Sequence, residues 1–327
     1  MSKFEVIQAL VAPEQAEFER QFKQKLSTRV PLADNVIRYF LDRRGKQLRP
    51  LLTFLAVRLL DRDWNDATIK GAVALELLHN ASLIHDDVVD QSDERRGMAS
   101  INHVWDNRVA VLMGDFFLSK CLTASNETGS LAVSNILSEM VTKLCEGELE
   151  QMSNVRSHTM TEQGYFSVIS GKTASLFAAC LKVGALTVDA TPDEMERISA
   201  VGEKMGLIFQ IRDDIFDYFP SNAQVGKPTG HDIAEGKVTL PLLYALRTAS
   251  AEESRKMYAL LDMPSQLTNE HVAALVDFAK SLGGIEYAQA RMKQIGHEAR
   301  QVLNTFPENE GRAAIAALID FFMEREK

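Results

Sequence analysis

Apolar residues recur along this chain at a spacing of about 3.6, almost without interruption. Between Ile69 and Val89 they fall at 69, 73, 77, 78, 81 and 84, a single stripe along a helix. Val109 to Leu122, Leu131 to Met152, Tyr165 to Leu186, Met195 to Phe219 and Gly284 to Leu303 behave the same way. Helix breakers separate them: Pro31, Gly45, Pro50, the run Asp61 to Asp66, Gly97, Thr128-Gly129, Pro192, Pro220 to Pro228, Pro264 and Pro307. Thr191-Pro192-Asp193-Glu194 reads as a helix start, with Thr as N-cap and Pro at the first position. Alternating strand patterns joined by two-residue turns are absent, as are strand–GxGxxG–helix units. The pattern predicts an all-α chain of ten or more helices. No Ser- or Gly-rich linker divides it, so one domain is expected over residues 1–327. The longest irregular stretch, Pro220 to Gly236, holds Gly226, Lys227, Pro228, Gly230 and Gly236, and is expected to be a functional loop or lid.

Composition narrows the function classes. The 327 residues carry a net charge of −9, which argues against nucleic-acid binding and against general adsorption to anionic lipid. Cys121, Cys145 and Cys180 lie in apolar stretches at uneven spacing, and read as reduced core residues rather than disulfides or metal ligands. No apolar run reaches the ~18 residues of a membrane span, and the N-terminus lacks the basic-then-apolar order of a signal peptide. A cytoplasmic protein without a transmembrane segment is expected.

One acidic pattern occurs twice, as Asp86-Asp87-x-x-Asp90 and Asp213-Asp214-x-x-Asp217, each time after apolar residues. Positions i, i+1 and i+4 fall within about a 100° arc of a helix. Three carboxylates on an apolar face repel and desolvate one another unless a cation compensates. Oxygen ligands with room for water suit Mg²⁺, which is commonly held by carboxylates together with substrate phosphates. A single copy is usually a solvated helix face, whereas two copies with apolar flanks point to a metal–diphosphate site.

Cations accompany the carboxylates. Lys46 and Arg49 stand in Gly45-Lys46-Gln47-Leu48-Arg49-Pro50, Arg95-Arg96 follows the first acidic motif by one to two helical turns, Lys172 lies in Gly171-Lys172-Thr173, and Lys227 and Lys237 sit in and after the irregular stretch. Singly each would be a solvent-facing charge; their grouping beside the acidic motifs suggests one diphosphate bound through metal and a second held by Lys and Arg directly. His79 lies nearly two turns before Asp86 and is either a core histidine or part of the same cavity. Glu76-x-x-His79 also matches half of a di-iron bundle motif, but no second Glu-x-x-His exists.

Taken together, GKQLRP at 45–50, LIHDDVVDQSDERRG at 83–97, GD at 114–115, EGELEQM at 146–152, GKTASLF at 171–177, GLIFQIRDDIFDY at 206–218 and GKPTGHDIAEGKVTLP at 226–241 resemble the trans-type isoprenyl diphosphate synthases, most of all octaprenyl and other long-chain members. These motifs cover residues 40 to 245; the last eighty or so match only as helices. The resemblance implies a helical bundle around a deep central cavity, a homodimer, and head-to-tail condensation of isopentenyl diphosphate with an allylic diphosphate. It implies about three Mg²⁺ ions, replaceable by Mn²⁺, with Asp86, Asp87, Asp90, Asp213, Asp214 and, with less support, Asp217 as ligand candidates. It assigns Arg95, Lys172, Lys227 and Lys237 to the allylic diphosphate, Lys46, Arg49, His79 and Arg96 to isopentenyl diphosphate, and Thr173 and Gln210 to the path of the allylic cation. Asp86, Asp90, Lys172, Thr173, Gln210 and Asp213 form the implied catalytic set. One departure is Gln47, where the family usually has a basic residue. A shorter-chain synthase and a class I terpene cyclase are the alternatives, but a cyclase would lack the GKxxRP site and all-Asp second motif. A regulatory subunit on the same fold would have lost an acidic motif.

Product length follows from the helix before Asp86. One turn up stand Ala81 and Ser82, both small, where bulky aromatics stop chain growth early in this family. The growing chain is therefore expected to pass Leu78 and Leu77 and to end near Leu137 and Met140, giving a heptaprenyl or octaprenyl product that serves as a quinone side-chain precursor.

Overall fold

The structure, a computed structural model, describes residues 3–42, 45–95, 97–157, 160–219, 229–261 and 267–325, with side chains of 154–157 excepted. It is all-α, as the periodicity predicts. The described residues fall into two compact units: Met1–Glu139 with Ala179–Ser199 and Asn304–Ala317, and Met140–Ala178 with Ala200–Leu303 and Leu318–Lys327.

The first unit is organised around the helix Asp66–Val89. Asn65 starts it through a capping box: the Thr68 N–H donates to Asn65 Oδ1 at 3.1 Å, and the Asn65 N–H donates to Thr68 Oγ1 at 3.2 Å. From Gly71 to Ala81 every residue is buried, so this helix is enclosed on all sides rather than amphipathic. The helices Ala12–Lys25, Leu48–Leu59 and Asn107–Glu127 pack against it. The helix stops at Val89, leaving Asp90 as its C-cap. Beyond it the chain differs from expectation. Glu94–Arg95 and Met98–Ala99 pair antiparallel, with Gly97 at φ 74° in the turn. Arg95 therefore stands on a short strand and not on a helical continuation. Two strands of two residues are too short to show alternation in a sequence.

The stretch predicted as one helix from Tyr165 to Leu186 is three pieces. Glu162–Ile169, capped by Thr161 Oγ1 at 3.0 Å from the Gly164 N–H, runs into a wide π turn over Ser170–Ala174 and then into Ser175–Leu186. The π turn lies against Leu131–Ser157, where a Cβ on Gly171 would sit 3.0 Å from the Lys143 carbonyl oxygen. The helix Pro192–Phe216 begins as predicted, with the Glu194 N–H donating to Thr191 Oγ1 and the Thr191 N–H to Glu194 Oε2. Part of the stretch expected to be irregular, His231–Ala234, is a helical turn, while 220–228, including Lys227, lies outside the described residues. Leu240–Thr248, Asn269–Ser281 and Gly284–Leu303 pack together behind it. Phe177, Phe209 and Phe322 form an aromatic cluster with centroids 5.2 to 5.8 Å apart.

Two sequence expectations need correction. Cys121 and Cys180 are buried and free, but Cys145 is exposed, because it lies on the outer face of Leu131–Ser157. Residues 162–186 are long and apolar enough to cross a membrane by composition, but 56% of that window is buried inside the fold and the π turn with Lys172 interrupts it.

Gly206 is required by contact and not by conformation: a Cβ there would overlap Ala174 Cα, and one on Gly202 would lie 2.7 Å from Ala178 Cα. Backbone-to-backbone approach at these two points sets Gln210 beside Thr173. Gly206→Ala should therefore destabilise the protein by about 1–3 kcal/mol, the cost of overpacking a close backbone contact. Urea unfolding checks this; an unchanged midpoint would show that the two helices separate freely.

Candidate active site

Each acidic motif occupies the C-terminal end of a long helix, with its third aspartate just past the last turn. In the first unit Asp86 is half-buried, Asp87 is 5% exposed and Asp90 is open to solvent. Arg95 Nε donates to Asp87 Oδ1 at 2.6 Å, so the strand pair returns a cation to the motif. His85 Nε2 lies 3.3 Å from the Val111 carbonyl and 3.5 Å from Asp115, in a space that Gly114 leaves open. This contact fixes the rotation of the acidic end against Asn107–Glu127. Asp87 and Arg95 also line a small cavity of about 60 Å³ with Tyr39, Leu83 and Ser100.

Elsewhere in the first unit, Lys46 is exposed with its Nζ 5.9 Å from the Phe4 ring, and Arg49 is half-buried in the first turn of Leu48–Leu59. Gln47 adopts φ 50°; its amide accepts from Gln15 Nε2 and donates to Glu19 Oε1, both at 2.6 Å. The departure at position 47 thus ties the loop to the helix Ala12–Lys25. His79 is buried, with Asn80 and Glu76 beside it on the same helix. Ala81 is 2% exposed, Leu77, Leu78 and Leu137 are buried, and Ser82 Oγ donates to the His79 carbonyl at 2.9 Å. Arg96 lies outside the described residues.

The second unit carries a connected network. Tyr165 OH donates to Asp214 Oδ2 at 2.6 Å, Gln210 Nε2 donates to Asp214 Oδ1 at 2.8 Å, and Thr173 Oγ1 donates to Gln210 Oε1 at 2.7 Å. The π turn aims Thr173 at this chain, since its extra residue rotates the helix locally. Asp217 accepts from the His231 and Asp232 N–H groups at 2.9 and 3.0 Å. Lys172 pairs with Glu148 at 2.6 Å, Lys237 with Glu235 at 2.5 Å, and Asp213 with Arg325 at 2.5 Å. Lys172, Thr173, Gln210, Asp214, Asp232 and Lys237 line a common cavity of about 170 Å³. Met140 is buried in this unit.

The charge balance here is unfavourable as it stands. Burial, then Asp232, push Asp214 up to about 7, against the hydrogen bonds from Tyr165 and Gln210. Burial and Asp232 raise Asp217 to about 6, and burial raises Asp232 as well. Among the described residues no three His, Cys, Asp or Glu side chains already converge on one point. The donor chemistry nevertheless fits a hard divalent cation: carboxylates that repel one another at the edge of a cavity are what such an ion would relieve.

The motifs led to Asp214, Gln210, Thr173 and Lys172, which the fold brings together. Four contributors were missed. Glu148 and Asp232 lie inside quoted motifs but were passed over for the residues around them. Tyr165 sits in an apolar run with nothing to mark it, and Arg325 lies in the C-terminal stretch that carries no motif.

Comparison with known proteins agrees with the geometry. The polyprenyl synthetase family model matches residues 30–278. The octaprenyl diphosphate synthase of Escherichia coli (strain K12) is 32% identical over 324 residues, 99% of each chain. A short chain isoprenyl diphosphate synthase of Methanothermobacter thermautotrophicus is 35% identical over 286 residues, 86% of this chain and 87% of that one. The crystal structure of a polyprenyl synthase from Caulobacter crescentus CB15, complexed with calcium and isoprenyl diphosphate, superposes with a TM-score of 0.92 at 30% identity, covering 99% of this chain and 98% of that one. The chain belongs to the polyprenyl synthetase family and is a prenyltransferase. The family uses divalent metal to bind diphosphate.

The raised carboxyls make stability depend on pH. A carboxyl with a higher pKa in the folded chain binds its proton more tightly there, so folding gains from protonation and loses as pH rises. For Asp214 the contribution is complete below the ordinary value of 3.8 and lost above about 7. In chelator, the melting temperature should therefore fall between about pH 4 and about pH 7, and Asp214→Asn should make the decline shallower. An equally steep decline in the variant would place the titration elsewhere.

Proposed function

We propose that this protein is a Mg²⁺-dependent, all-trans polyprenyl diphosphate synthase that extends an allylic diphosphate with isopentenyl diphosphate to a heptaprenyl or octaprenyl product. The observation that supports this most is the cavity lined by Lys172, Lys237, the buried Asp214 and the half-buried Asp232. Mixed charge of this density around an open space suits a metal-bound diphosphate.

Asp86 and Asp90, with Asp213 and the remaining motif aspartates, are the proposed ligands of about three Mg²⁺. When bound, the metal neutralises charge that develops on the departing diphosphate. Lys172, Lys237, Lys227 and Arg95 contact that diphosphate, while Lys46, Arg49, Arg96 and His79 hold isopentenyl diphosphate in line with the allylic carbon. As the allylic C–O bond breaks, the isopentenyl double bond attacks the cation. Thr173 and Gln210 offer oxygen dipoles along its path, and apolar walls at Val168 and Ile169 exclude water. The proton lost from the isopentenyl carbon passes to the departed diphosphate, which is the strongest base at hand. The product is again an allylic diphosphate, so the cycle repeats.

Length is set by what stands beside the growing chain. Ala81 and Ser82 present little bulk one turn above Asp86, which favours a long product. The likeness to a short chain isoprenyl diphosphate synthase favours the second reading, a shorter-chain synthase that stops at farnesyl or geranylgeranyl length. The 1–327 chain is proposed to work as one catalytic domain, as a homodimer in the cytoplasm, feeding quinone side-chain synthesis.

Mass spectrometry of products from isopentenyl and farnesyl diphosphates tests this. The wild type should build chains of about 35 to 40 carbons only with Mg²⁺ or Mn²⁺, and Asp86→Ala and Asp213→Ala should each lower turnover by ~10²-fold or more. Ala81→Phe should shorten the product to a few units while the first condensation persists. Undiminished activity in chelator would sink the metal reading, and a wild type that halts at 15 or 20 carbons would establish the shorter-chain alternative, taking about 5 carbons per unit added.

A further inference from the structure

Asp213 already has a cation. Arg325, which follows the last helix, Glu310–Glu324, donates Nη2 to Asp213 Oδ1 at 2.5 Å and to the Phe209 carbonyl at 3.1 Å. Its own carbonyl accepts two bonds from Arg212, at 2.9 and 2.6 Å. Its guanidinium lies 4.1 Å from the Phe209 ring centroid and 5.4 Å from that of Phe216. The side chain is 11% exposed, and its Nε–H is buried without a hydrogen-bond acceptor among the described residues. A C-terminal arginine is thus seated with care, at the cost of a buried donor, against one carboxylate of the acidic motif.

We propose that Arg325 is a placeholder cation: it neutralises Asp213 in the metal-free protein and yields that carboxylate when divalent metal and diphosphate arrive. The charge cluster explains the need. Asp213, Asp214, Asp217 and Asp232 lie in one unit, where Asp214 and Asp232 line one cavity and Asp217 accepts from the Asp232 N–H. A guanidinium supplies positive charge where the metal would otherwise have to be present for the fold to hold. Once a dication binds the same carboxylate, the guanidinium repels it, so the two compete for Asp213. The Arg325 backbone stays anchored by Arg212 while its head group shifts. The inference rests on the assignment of Asp213 to the metal site.

The test is thermal unfolding of the full chain in chelator, and across a Mg²⁺ titration at fixed inorganic pyrophosphate. Arg325→Gln should melt lower than the wild type in chelator and close the gap at saturating Mg²⁺. Its half-saturating Mg²⁺ concentration should fall roughly 3- to 10-fold, the range expected when a partly buried competing ion pair is removed. Arg325→Lys, which keeps the charge with a looser grip, should shift the same way by less, and serves if the Gln variant does not fold. Equal melting losses in both states with unchanged half-saturation would reduce Arg325 to a structural contact. A higher Mg²⁺ requirement would make it an aid to metal binding and overturn the proposal. If Mg²⁺ and pyrophosphate fail to stabilise the wild type, the metal assignment itself falls, and the placeholder with it.

Discussion

A carboxylate buried with less positive charge than it needs governs the second unit. Asp214 is 3% exposed, and its two neutral donors, Tyr165 and Gln210, do not offset the loss of water and the nearness of Asp232. Hydrogen bonds from uncharged groups orient a carboxylate but leave most of its charge uncompensated. The surrounding architecture follows from this. The π turn brings Thr173 to Gln210, the glycines at 202 and 206 let the two helices close, and Lys172 and Lys237 stand across the cavity.

Several of the described charged residues proposed for substrate and metal are held in pairs with one another or with nearby protein groups. Lys172 is with Glu148, Lys237 with Glu235, Arg95 with Asp87 and Asp213 with Arg325. Pairs with partly exposed members are individually worth about 0–1 kcal/mol. Exchanging the more exposed of them, such as Lys172 with Glu148, for another charged partner therefore costs little. Binding energy remains for the reacting centre, where neutralisation of the leaving group lowers the barrier.

The helices and both acidic motifs were legible because they depend on local spacing. A 3.6-residue apolar period and Thr-Pro-Asp-Glu at 191–194 report local physics directly. What escaped depends on partners distant in sequence. The hairpin at 94–99 is too short to alternate, and the π turn at 170–174 reflects close packing of Gly171 on Gly147. Tyr165 and Arg325 gain meaning only from carboxylates 49 and 112 residues away. Cys145 was misplaced because an apolar neighbourhood in sequence does not say which face of the helix a residue occupies.

The central claim is that an external cation relieves this buried negative charge. Calorimetric titration of Mg²⁺ and pyrophosphate into the protein, at about pH 6.5 in buffers of different ionisation enthalpy, measures the protons exchanged on binding. Because burial pushes Asp214 up to about 7, the wild type should release more protons than Asp214→Asn, by roughly three-quarters of a proton at this pH. Equal proton release from the two proteins would contradict the account.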